Sequence, residues 1–131
     1  MSFDDGRCRA AKRVLVAEDE ILIAMEIERA LASSGFEVLG PVGSVEEALQ
    51  LLHRERPDAA VLDVTLRDGK VTAVAALLRS RDVPFVLASA EGRVLTEYGF
   101  FRGVTNLGKP TDMSRMVGEI RRLLAEAVWR P

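Results

Sequence analysis

The 131-residue sequence has one cysteine, one histidine, almost no charge imbalance and no long apolar run. Each shortage excludes something. With Cys8 alone, neither an internal disulfide nor a thiolate zinc cluster can form, and its polar setting, "MSFDDGRCRAAK", makes it an inert surface thiol. No stretch approaches the ~18 apolar residues of a membrane span, and the N-terminus shows no apolar signal-peptide core. The expected location is therefore cytoplasmic, without a membrane partner. A formal net charge of −2 gives no general attraction to nucleic acid, and no nucleic-acid partner is expected. What is present, 48% hydrophobic and 29% charged residues, suits one globular domain with a real core.

Short apolar runs alternate with helical patterns along the chain, which argues for a parallel sheet covered on both faces. "RVLVA" (13–17) reads as the first strand. Ile23, Ile27, Ala30 and Leu31 then recur at helical spacing, with Gly35 suited to the helix end. "FEVLGPV" is a second strand, and Ser44 with Glu47 three residues on predicts a capping box for a helix burying Val45, Ala48, Leu49 and Leu52. "DAAVLD" (58–63), almost wholly apolar, reads as a central third strand. A helix over about 71–81 and a fourth strand, "PFVLAS" (84–89), follow. Glycines at 92, 99 and 103 leave room for only a short helix, "VTNL" (104–107) is a modest fifth strand, and Met113, Met116, Val117, Ile120, Leu124 and Val128 mark the last helix.

"VLVAEDEIL" places Glu18, Asp19 and Glu20 directly after the first buried strand. In open α/β sheets, ligands bind beyond the carboxyl ends of the strands. If the first and third strands are neighbours, Glu18, Asp19 and Asp63 converge there. Two like charges ~4 Å apart repel by about 4 kcal/mol at an effective dielectric near 20, so such a cluster raises a pKa or recruits a cation. All-oxygen ligation with room for water favours Mg²⁺. A nucleotide-binding fold would instead place glycines after the first strand to meet phosphate with backbone N–H groups. Ser89 and Lys109 end the fourth and fifth strands at the same edge, where a hydroxyl and a cation can bind phosphoryl oxygens. Glu20 reads as a solvated first-turn acid favoured by the helix dipole, and Asp58 and Asp68 as loop acids.

The ordered set of "EDE", "LD" ending at Asp63, Ser89 and "KP" at 109–110 resembles the receiver domain of two-component response regulators, over residues 13–128. The resemblance implies a flavodoxin-like doubly wound (βα)5 fold with a five-stranded parallel sheet in the order 2-1-3-4-5, its fourth helix shortened. It implies Asp63 as phosphoacceptor, Asp19 as direct Mg²⁺ ligand, Glu18 acting through water, and the Thr65 carbonyl as a further ligand. Ser89 and Lys109 would contact the phosphoryl group, and a cis bond would join Lys109 to Pro110. "PFVLASAEG" also resembles the "PFxFATGY" segment of the stand-alone FAT GUY receivers, with Ser89 for threonine and departures at Leu87, Ala90 and Glu91.

The expected organisation is a flexible tail over 1–12, a receiver over 13–128 and no output domain. The implied function is a single-domain regulator that accepts a phosphoryl group from a histidine kinase or phosphotransfer protein and acts on a protein target through its helix-four, strand-five, helix-five face. Assistance with its own phosphorylation and dephosphorylation, rather than turnover of a substrate, is the expected chemistry. His53 is expected to be solvated and not a relay histidine. Three departures stand out: no proline follows Asp63 in "VTLRDGKV", the third and fourth helical regions are short, and Asn106 stands where most receivers carry a switching aromatic. They motivate a phosphorylation-independent interaction module as the alternative, and a switch carried instead by residues 90–103 within the first reading. A phosphatase-like enzyme would need an acid where Thr65 stands.

Overall fold

The structure, a computed structural model, describes residues 11–90 and 99–128. Expectations for the 1–12 tail before residue 11, for Cys8 and for most of the 90–103 segment fall outside these residues. Strands β1 (Arg13–Ala17), β2 (Glu37–Val42), β3 (Ala59–Leu62) and β4 (Phe85–Leu87) form a parallel sheet in the order β2-β1-β3-β4. Helices α1 (Ile21–Ser33), α2 (Val45–Arg54), α3 (Thr72–Ser80) and α4 (Met113–Val128) complete the alternation.

The apolar strands follow from burial on both faces. Leu15, Ala17, Ala60, Leu62, Phe85 and Leu87 pack with α2 and α3, whereas Val14, Val16, Ala59, Val61, Val86 and Ala88 pack with α1 and α4. Side chains alternate between faces, so a strand covered twice needs an unbroken apolar run. Of the expected stripes, Ile27 and Leu31 on α1, Ala48 and Leu52 on α2, and Met116, Val117 and Ile120 on α4 are buried. Ile23, Ala30, Val45, Leu49, Met113 and Leu124 are partly buried at the margins, and Ala24 joins the core unexpectedly.

Local signals also hold. Ser44 accepts from the Glu47 N–H at 3.1 Å, but Glu47 returns its carboxylate to the Gly43 N–H, one residue earlier than in a standard capping box. At the end of α1, the Phe36 N–H donates to Leu31 and the Gly35 N–H to Ala32, a Schellman motif with Gly35 at φ 93°.

Two details differ from expectation. The fifth strand is reduced to one parallel bridge, Leu87 with Asn106, because left-handed Gly103 and Gly108 (φ 83° and 79°) turn the chain on either side. The loop after Asp63 is a hairpin, Thr65–Leu66 with Gly69–Lys70. Asp68 at its tip accepts from the Val45 and Glu46 N–H groups at 2.7 and 3.2 Å, so this expected loop acid ties the hairpin to the start of α2. Asp58 likewise accepts from the Arg13 N–H at 2.8 Å. His53 is exposed, as expected.

Candidate functional site

The carboxyl ends of β1 and β3 are neighbours, so the acids meet. The Glu18 N–H donates to the Val42 carbonyl and the Asp63 N–H to the Ala17 carbonyl, both at 2.8 Å, which continues the sheet one residue past each strand. Ligand atoms of Glu18, Asp19 and Asp63 all lie within 4.8 Å of one another. Glu18 and Asp63 are only 3% and 8% exposed, whereas Asp19 is half-buried at the rim.

Lys109 closes the cluster from the opposite side. Its ammonium lies 2.9 Å from both Asp63 Oδ2 and Glu18 Oε1, and 3.4 Å from Glu20 Oε2. The Lys109–Pro110 peptide bond is cis, as the resemblance implied, and Gly40–Pro41 is a second cis bond. Burial resists charging of Lys109, but hydrogen bonds to Asp63 and Glu18 carry its pKa above the ordinary lysine value. Glu18 is displaced upward by burial, which outweighs the hydrogen bond from the Glu20 N–H and the contact with Lys109; the nearby Asp63 charge adds to the rise.

Glu20 corrects the sequence reading. It is the N-cap of α1, makes no side-chain cap, and turns its exposed carboxylate toward Lys109 instead of lying within the first turn. Thr65 begins the hairpin two residues beyond Asp63, with its hydroxyl accepting from Lys70 Nζ at 2.8 Å. Ser89 lies buried just past β4 at the same edge of the sheet. Asn106, read from sequence only as a missing aromatic, bonds the backbone of Ser89 on both sides. A polar residue inside "VTNL" was the only signal of this.

The family model of the response regulator receiver domain matches residues 14–121. The chain belongs to the response regulator receiver family. Its sequence is 33% identical over 120 residues to the transcriptional regulatory protein PdtaR of Mycobacterium tuberculosis, covering 88% of this chain and 58% of PdtaR. It is 35% identical over 116 residues to the transcriptional regulatory protein PrrA of the same organism, covering 86% of this chain and 49% of PrrA. The receiver therefore spans about half the length of these relatives. Among solved structures, the receiver domain of the Erythrobacter litoralis response regulator PhyR superposes with a TM-score of 0.77 at 26% identity, covering 88% of this chain and 92% of that one. PhyR from Brucella abortus superposes with a TM-score of 0.71 at 30% identity, covering 89% and 47%. The fold is thus flavodoxin-like, and the family signals through two-component systems, interacting with histidine kinases or phosphotransfer proteins.

Receivers bind Mg²⁺ in an acidic pocket, and the residues here fit one. Glu18 Oε1 is buried, and the Lys109 ammonium at 2.9 Å is the one partner it faces, which leaves oxygen lone-pair capacity turned into the cluster. An all-oxygen set with one such lone pair suits a hard cation. Among the described residues, no helix is long and apolar enough to cross a membrane.

Proposed function

We propose that this receiver takes a phosphoryl group on Asp63 from a histidine kinase or histidine phosphotransfer protein, in a reaction that needs Mg²⁺, and passes the signal on by protein contact. The observation that carries this reading is the Lys109 ammonium held 2.9 Å from Asp63 Oδ2 beside the acidic trio. An Asp63 oxygen would form the P–O bond as the donor's P–N bond breaks, while Lys109 offsets charge on the phosphoryl oxygens and the Ser89 side of the edge receives them. Such transfer needs little beyond positioning and charge neutralisation. Glu18, Asp19 and Asp63, with the Thr65 carbonyl, would hold Mg²⁺, which when bound neutralises phosphoryl charge.

Ile21, Leu22 and Met25 are 73%, 81% and 49% exposed beside this edge, an apolar surface on which the donor protein can dock. Within residues 13–128, the target-binding face would be the 104–107 edge and α4, together with the segment before them. Incubation with a small phosphodonor and Mg²⁺ should add one phosphoryl mass to the wild type and none to Asp63→Asn. Equal labelling of that variant would overturn the assignment.

A further inference from the structure

The strand pairing beside the site stops one step short. The Leu87 N–H donates to the Thr105 carbonyl at 2.9 Å, and the Leu107 N–H donates to the Leu87 carbonyl at 2.8 Å. In a parallel ladder, the next partners on this pattern would be Ser89 with Leu107 and Lys109. Gly108 turns the chain away at φ 79°, so the main chain does not continue. Buried backbone groups need partners, and the peptide groups of Ser89 find theirs in a side chain. Asn106 Oδ1 accepts from the Ser89 N–H at 3.0 Å, and Asn106 Nδ2 donates to the Ser89 carbonyl at 3.3 Å. The same Oδ1 also accepts from the Gly108 N–H at 3.1 Å. The amide orientation is fixed by these partners, because a flipped amide would set its NH₂ against two N–H donors.

We infer that Asn106 is a positioning residue: its amide replaces the missing strand pair and holds Ser89 and the turn before Lys109 in one register around Asp63. The inference rests on the reading of Asp63 as phosphoacceptor. One acceptor atom shared by two N–H groups links the two elements that would bear the phosphoryl contacts. Neither can shift alone without breaking a bond to Oδ1. None of the acids is held by Asn106, so metal binding and phosphoryl positioning should separate on its removal.

The test uses the full chain with acetyl phosphate and Mg²⁺, together with amide hydrogen exchange in the unphosphorylated state. In Asn106→Leu, exchange at Ser89 and Gly108 should rise at least about tenfold, while the backbone-paired Leu87 amide stays protected. The phosphorylation rate should fall about tenfold with Mg²⁺ affinity unchanged. Asn106→Asp loses the Nδ2 donation to the Ser89 carbonyl but keeps an oxygen for both N–H groups, and should keep Ser89 and Gly108 slow to exchange. Wild-type phosphorylation rate in a folded Asn106→Leu chain would overturn the inference. So would fast exchange at both amides in Asn106→Asp, which decides the matter even if the leucine variant does not fold. A wild-type chain that gains no phosphoryl mass would instead overturn the phosphoacceptor reading and with it the rate effect, leaving the exchange pattern to decide the clamp.

Discussion

Lys109 places one ammonium against the carboxylates of Glu18, Glu20 and Asp63, so the site holds a counter-ion of its own. A divalent cation drawn to Glu18, Asp19 and Asp63 must share that space with it. Removing the lysine charge should therefore strengthen Mg²⁺ binding, by roughly tenfold for a repulsion of about 1.4 kcal/mol. Titration of Lys109→Ala would show this, and weaker binding than wild type would contradict it. Asp19→Asn should do the reverse and bind Mg²⁺ less well, since it removes one of three carboxylates. The pH dependence has a definite sign. Binding needs Glu18 ionised, and its pKa lies above the ordinary 4.5 because of burial, so affinity should begin to fall, as pH drops, before an ordinary glutamate would protonate. In Glu18→Gln that part of the acid limb should disappear.

At the scale of elements, the four helices and four sheet strands were legible because each carries a redundant signal. Helical period and the terminal Gly35 agree for α1, and Ser44 with Glu47 announces α2. Replacing Ser44 by alanine should cost about 1 kcal/mol through the lost cap, measurable by denaturant unfolding. The 65–70 hairpin was not legible: its strands have two residues each, and its anchorage depends on Asp68 reaching α2 across 23 positions of sequence. Nor was the shortfall of the fifth strand, since "VTNL" has strand composition and only the flanking left-handed glycines cut it short. The acids could be found from their place after apolar strands, whereas the Asn106 bonds depend on tertiary neighbours that no local pattern encodes. Asp68→Ala should speed amide exchange in the hairpin and leave the Leu52 amide unchanged. Equal protection in both proteins would show that the Asp68 bonds do not anchor the hairpin.

Over the whole molecule, the exposed Ile21–Leu22–Met25 surface adjoins the acids but touches none of the core faces that fix them. Replacing Leu22 by lysine should thus slow transfer from a phosphorylated donor protein at least about tenfold, while labelling by a small phosphodonor stays near wild type. Equal slowing with both donors would place the defect in the site rather than the docking surface.

The two signs of charge at the site also come from distant parts of the chain. All three clustered acids lie in its first half, and the lysine that opposes them lies 46 positions beyond Asp63. During synthesis the acids emerge well before their lysine. A nascent chain that pairs β1 with β3 would crowd three negative charges with no internal cation to quiet them. Free Mg²⁺ in the surrounding medium can serve in that interval, acting as a temporary chaperone for the first half of the chain. Refolding of Lys109→Ala, which lacks that internal cation throughout, should then depend on Mg²⁺ more strongly than refolding of the wild type.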